Sequence, residues 1–295
     1  VVYKLRQKRQ DRDVPDLGSS GASRSEMLKS LVLFAIPITV GSCFLSLLDN
    51  IDTAVLMDRL QAGLGYSQQM ADTMRGILGH ARKFFDLPGA FVVPISTSLL
   101  PVLSEAIASK DYTTTNRIST ISMRVTLLIS IPATVGMCLF ADPICQLLLF
   151  NRQDVAAQTA PLLAVLSVAI VFNSTLFTTN AILQSFGRPM VPVVTMSVGG
   201  VVKIVLSYVL IGIPEINVMG SVISTVVSYG LIMVLNLIFV RRCVPNMESF
   251  FLMTAPLLLS AGVMGVGSYF VYQGFCLLVS PKIALFPAIA SAVLL

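Results

Sequence analysis

The sequence predicts an all-α polytopic membrane protein, and three observations predict it. The 295 residues are 55% hydrophobic and 12% charged, with mean hydropathy +0.83; a soluble domain carries about 25% charged residues. Long apolar runs recur along the whole chain, and their unbroken character excludes a strand-type membrane barrel, whose lipid-facing residues alternate. The clearest run, 190–212, holds 23 residues with one charge, Lys203, near its middle. As a helix it is about 34 Å long, enough for a bilayer core of about 30 Å. An ammonium at that depth costs on the order of 2.5–3.5 kcal/mol on insertion scales, so Lys203 is expected to face protein or a wet cavity. Gly199 and Gly200, one turn earlier, allow close approach of a neighbour.

Residues 1–26 are basic, then rich in Gly, Ser and Asp, and read as a flexible cytoplasmic linker without a core. No signal-peptide pattern opens the chain. Eight apolar segments follow. The first covers about 28–57, with Pro37 near its start, and a polar amphipathic stretch, 60–83, comes after it. The second to fourth cover about 84–107, 119–149 and 156–184. The fifth to seventh cover about 190–213, 218–240 and 250–273, and the eighth starts near Pro281. Seven full spans and a truncated eighth are therefore expected. The chain starts at Val1, without Met, and stops at Leu295 inside an apolar run, as expected of a piece lacking an N-terminal part and the tail of its last helix.

Basic residues fix the expected sidedness. With the linker inside, twelve lie on the cytoplasmic side (among them Lys110, Arg117, Arg188, Arg241 and Arg242) and six outside: Arg59, Arg75, Arg82, Lys83, Arg152 and Lys282. The formal charge of +5 thus belongs mostly to loops, and nucleic acid is not an expected partner. The five cysteines are scattered, His80 is the only histidine, and Trp is absent. That excludes a disulfide framework, a zinc site and a His-based triad, and no cofactor or metal is expected. Neither a phosphate-binding Gly-rich motif nor a catalytic set is present, so the chain is not expected to be an enzyme, and any transport draws on a gradient, the membrane potential or a partner.

Five constellations and one lone charge carry the candidate chemistry. Asp49 and Asp52 share a face of the first helix by their i,i+3 spacing. Two carboxylates there suit a coupling cation or proton, or partners for basic groups; the plainer alternative is a solvated helix end. Around Pro88, Lys83 and Asp86 are also i,i+3 and suited to pair, with Arg82 beside them. Basic groups on the outer half fit an anion such as phosphate, or else a solvated helix end. Pro94 and Pro101 lie on nearly one face of the next helix, where each removes a backbone donor and permits either bending during transport or simple curvature. Asn173, Asn180 and Gln184 form a polar stripe, for which helix–helix hydrogen bonds are the first reading and ligand contact the second. Ala261 and Gly265 give the seventh segment a small-xxx-small face, read as packing or as a lipid groove. Lys203 itself reads either as a phosphate contact or as a structural lysine paired with an acid such as Asp52.

STSLLPVLSEAIASKDY (96–112), TNAILQSFGRP (179–189), KIVLSYVLIGIPEINVMGSVIST (203–225) and LNLIF (235–239) resemble the stage V sporulation protein B group. That group belongs to the polysaccharide-transporter branch of the MOP flippase superfamily, alongside MurJ-like flippases and MATE exporters. The resemblance runs in order over 27–295. It implies two six-helix bundles and two extra helices. Residues 1–26 would link the bundles, 27–243 would be the C-terminal six-helix bundle (helices seven to twelve), and 244–295 helix thirteen and part of fourteen. MurJ-like members carry a small–acidic–Arg–x–x–Glu–x–Pro run in the central cavity. Residues 81–88 match its spacing, with Lys83 at the Arg position, Asp86 at the Glu position, and Arg82 reversing the acid.

The resemblance implies a flippase in the bacterial plasma membrane for an undecaprenyl-linked glycan or peptidoglycan precursor, lipid II-like and serving spore cortex, working by alternating access. Its expected partners are a lipid-linked oligosaccharide, membrane lipids and a glycan polymerase. Substrate-binding candidates are Arg82, Lys83, Asp86, Asn180 and Lys203, and ion-coupling candidates are Asp49 and Asp52. A MATE-like cation-coupled exporter would use the two aspartates and need a mostly acidic cavity. A non-transporting partner of a polymerase would rely on loops alone.

Overall fold

A computed structural model describes residues 50–276 and Pro287. Asp49, the 1–26 linker, most of the first expected span and nearly all of the eighth lie outside the described residues. Among the described residues every regular element is helical and there is no strand. Helix α1 (50–58) widens into a π turn, Arg59–Gly63. Then come α2 (Gln68–Phe85), α3 (Gly89–Ala108), α4 (Tyr112–Leu139) and α5 (Ala141–Leu148). The chain goes on through α6 (Gln153–Ser185), α7 (Met190–Ile211), α8 (Met219–Cys243) and α9 (Phe250–Cys276). Among the described residues, helices α3, α4, α6, α7, α8 and α9 are the six long and apolar enough to cross a membrane.

From Gln68 on, the polar stretch 60–83 is helical: Ser67 caps α2, its hydroxyl accepting the Met70 N–H at 3.3 Å. Ala71, Ile77, Leu78, Ala81 and Phe85 fall on one face and pack into the core with Leu166 and Ile170 of α6. The helix ends at Phe85, and Asp86 to Pro88 form a turn before α3 starts at Gly89. The expected second span therefore begins late, because its first residues belong to α2.

The third expected span, 119–149, is two helices. Asp111 caps α4, accepting the Thr114 N–H at 2.9 Å, so the polar run 112–118 is helical. Hydrogen bonding from the Thr114 side chain, and then from its N–H, holds the exposed Asp111 carboxyl below the ordinary carboxylate value. The far end breaks at Phe140, whose N–H closes α4 on the Gly136 carbonyl. Pro143 has no N–H and would clash with the carbonyl four residues back, so α5 starts anew.

Helix α6 is the hub. It is buried on most of its circumference and packs against α2, α3, α4, α5 and α8. Three hydroxyls tie its middle to two neighbours: Thr178 lies 3.2 Å from Ser96 of α3 and 2.6 Å from Thr126 of α4. Both prolines of α3 stay within one continuous helix.

Helices α7 and α8 form a close hairpin. One face of α7 shows Val194, Val198, Val201, Val205 and Val209 to the outside, and the opposite face buries Gly199, Lys203, Ser207 and Ile211. Helix α9 packs on α4. A Cβ on Gly265 would stand 2.7 Å from Val135 and 2.8 Å from Leu139, and Ala261 is buried in the same contact. The small-residue face is a packing surface. Gly265→Leu should push α9 off α4 and destabilise the protein by about 1–3 kcal/mol. Thermal unfolding in detergent, with Gly262→Ala as a control at a position with open space around it, measures this.

Candidate functional site

Charge collects where α1, α2, α7 and α8 meet. The apolar face of α1 brings in Asp52 together with Leu56 and Leu60, and the buried face of α7 brings in Lys203 and, one turn on, Ser207. The last turn of α2 supplies Arg82, and the first turns of α8 supply Ser221 and Ser224.

The centre is the Asp52 carboxylate. Its Oδ1 accepts the Ser207 hydroxyl at 2.8 Å, and its Oδ2 accepts the Ser221 hydroxyl at 3.1 Å. Arg82 Nη2 donates to the same Oδ2 and stands 3.2 Å from Ser221 Oγ. The Lys203 ammonium lies 3.6 Å from Oδ2. Ser224 stands 2.6 Å from Ser207, so the hydroxyls continue the network along α8. The three charged side chains are 1% (Asp52), 7% (Lys203) and 26% (Arg82) exposed, so Arg82 is the one the solvent reaches. Two cations thus meet on one buried carboxylate, a trio of net charge +1 before Asp86, on the wall of the adjoining cavity, is counted. Isolated, each ion here would be costly; together with the hydroxyls they satisfy one another.

Lys203 also lines a cavity of about 210 Å³ on the α6 side, with Asp86, Asn173, Asn180, Tyr229 and Gly200 among its walls. Asn180 faces this cavity and also accepts the Asn236 side-chain N–H at 2.8 Å, and Asn236 accepts the Thr195 hydroxyl at 2.6 Å. Within the polar stripe of α6, Asn180 therefore makes the expected helix–helix hydrogen bond and also lines a cavity. A second, smaller cavity, lined by Asn180, Gln184, Ser96 and Thr97, lies on the α3 side.

Four of the candidates, Asp52, Arg82, Asp86 and Lys203, thus surround one region with Asn180 beside it, while Asp49 lies outside the described residues. Lys83 is exposed. Asp86, also exposed, is the C-cap of α2, its N–H turned back onto the Arg82 carbonyl, and it borders the Lys203 cavity. Sequence reasoning missed Ser207, Ser221 and Ser224. Their spacing was the available signal, since Ser207 is four residues after Lys203 and Ser221 and Ser224 are i,i+3. Nearer the α7 terminus Arg59 lies 4.1 Å from the Tyr208 ring centroid and donates to the Tyr208 carbonyl at 3.1 Å, which gives it a structural post.

Comparison with known proteins bears on this arrangement. A family model described as lipid II flippase MurJ matches residues 51–284. The uncharacterized membrane protein YabM of Bacillus subtilis is 28% identical over 217 residues, covering 74% of this chain and 39% of its own length. The lipid II flippase MurJ of the same organism is 25% identical over 233 residues, 78% of this chain and 42% of its own length. The chain thus spans about two fifths of these curated relatives. Among solved structures, a lipid II flippase MurJ in an inward closed conformation superposes with TM-score 0.63 at 16% identity, over 84% of this chain and 50% of that one. An outward-facing multidrug resistance MATE transporter of the MOP superfamily superposes with TM-score 0.60 at 15% identity, over 90% of this chain and 62% of that one. These likenesses show a shared fold.

Proposed function

The chain belongs to the lipid II flippase MurJ family, and from that premise we propose that it is part of a flippase for a lipid-linked glycan precursor carrying a pyrophosphate, such as lipid II. The observation that carries the reading is the pairing of two cations, Arg82 and Lys203, on the one buried carboxylate of Asp52, at the wall of a polar cavity that Asp86 also lines, inside a bundle of membrane-length helices. Arg82 offers a planar fork for phosphate oxygens and Lys203 a point charge. The polar walls at Asn173 and Asn180 suit the hydroxyls and amides of a sugar. The exposed valine face of α7 is compatible with a polyprenyl tail that stays in lipid while the headgroup crosses inside. Rocking of this bundle against an opposing one would expose the cavity to each side in turn.

A cation exporter needs an uncompensated carboxylate. Asp52 already holds two cations, which favours an anionic substrate over a cationic one. A spore-cortex role and a polymerase partner rest on the family resemblance alone. The test is reconstitution of the intact protein in vesicles with an undecaprenyl-pyrophosphoryl disaccharide, followed by its appearance in the opposite leaflet. Transport is expected, reduced about 10-fold or more in Arg82→Ala, the loss of one charge-assisted phosphate contact. An Arg82→Ala rate equal to that of the unmutated protein overturns the reading, as does extrusion of a cationic dye in place of the lipid.

A further inference from the structure

We propose that Asp52 is a built-in stand-in for the substrate's anion, and that the phosphate which displaces it makes Asp52 take up a proton, so that headgroup binding and protonation are linked. The inference rests on the reading above and deepens it.

Asp52 presents to Arg82 and Lys203 what a phosphate would present: one compact group of acceptor oxygens between a fork and a point charge. It holds the two cations in place while the site awaits its substrate, which makes it a positioning residue. A pyrophosphate brings more oxygens and more charge, so it competes for the same donors. Arg82 is the accessible end of the cluster and Lys203 the cavity-lining end, so each cation has a side from which an anion can reach it.

Release of the cations leaves Asp52 in a different state. Ser207 and Ser221 remain its donors, and both are neutral hydroxyls. An ionised carboxylate buried among hydroxyls is poorly compensated, and a bound phosphate adds a like charge nearby. One proton from water removes both penalties and turns the carboxyl into a donor toward the phosphate or Ser207. Among the described residues, the groups that face Asp52 leave no buried rival for this proton. Helix α2 contributes Arg82, α7 contributes Lys203 and Ser207, and α8 contributes Ser221 and Ser224. Asp86 borders the cavity but is exposed, and Asp58, on the helix of Asp52 itself, is exposed as well.

The experiment measures binding of farnesyl pyrophosphate to the intact protein in detergent, by calorimetry in two buffers of different ionisation enthalpy. At pH 7.5 about one proton should be taken up per probe bound, and between pH 7 and 8 the Kd should rise about tenfold. Asp52→Asn should bind the probe about tenfold tighter at pH 7.5, with no proton uptake and a flat profile, apart from the probe's own titration. Probe binding by the unmutated protein without proton uptake overturns this inference and leaves the flippase reading standing; that measurement does not depend on how well the Asn variant folds. A Kd in Asp52→Asn equal to or weaker than the original overturns the inference too. Absence of probe binding to either protein overturns the flippase reading, and this inference with it.

Discussion

Lys203→Glu should abolish transport and destabilise the protein by about 3–5 kcal/mol, the range seen when one partner of a buried ion pair is removed. The new carboxylate would stand close to Asp52, where the ammonium now lies 3.6 Å from Oδ2. Arg82 is already committed to Asp52 and has only one side chain to share between two acids. The charge swap, Asp52→Lys with Lys203→Asp, separates packing from chemistry. Both positions converge on the same point, so the swap restores one acid between two bases and should recover most of the lost stability. It should not recover transport, because position 203 lines the cavity and an acid there repels a phosphate. Thermal unfolding and the vesicle assay, run on the single and double variants, give the two readouts. Full recovery of transport by the swap would reduce Lys203 to a structural partner of Asp52.

Much of this was legible because each helix carries its own period. The lone charge in 190–212 fixed which face of α7 turns inward: Gly199, Lys203, Ser207 and Ile211 recur at helical spacing, and the valines fill the other face. The depth of Lys203, the lone charge in a run long enough to span a membrane, required that it face protein or a wet cavity on energetic grounds alone. The surroundings of its partner, Asp52, were not legible. Ser221 is 169 residues from Asp52 and Arg82 is 30, and no local pattern states that three distant turns share one carboxylate. Helix ends were harder to read. α2 stops at Phe85 and α3 starts only at Gly89, inside what reads as one apolar segment. The long third segment breaks at Phe140, where hydrophobicity continues but Pro143 ends the hydrogen-bond ladder. Apolar runs report burial in protein or lipid, and breaks in the backbone have to be read separately.

Gly220→Val should be the most damaging substitution in the α7–α8 hairpin. A Cβ at Gly220 would stand 2.7 Å from the carbonyl carbon of Leu210 and 2.8 Å from the Ile211 nitrogen. Those atoms are backbone, which no rotamer change can move aside. At Gly199 the tightest contact is instead the Ile232 side chain, which has rotamers to spare. The turn before Gly220 is already constrained, with Asn217 in the left-handed region at φ 51° and its side-chain amide donating to the Tyr66 hydroxyl at 2.9 Å. The hairpin therefore has no slack, and α8 must shift as a body. Its next residue is Ser221, which donates to Asp52 and touches Arg82, so the shift reaches the charge cluster directly. Overpacking alone costs about 1–3 kcal/mol, and the loss of a donor to a buried carboxylate adds about 1–3 kcal/mol. Loss of both thermal stability and lipid-pyrophosphate binding is expected, whereas Ser221→Ala should lose only the second contribution. A Gly220→Val protein that unfolds at the original temperature would mean that α7 and α8 do not lie this close in the membrane.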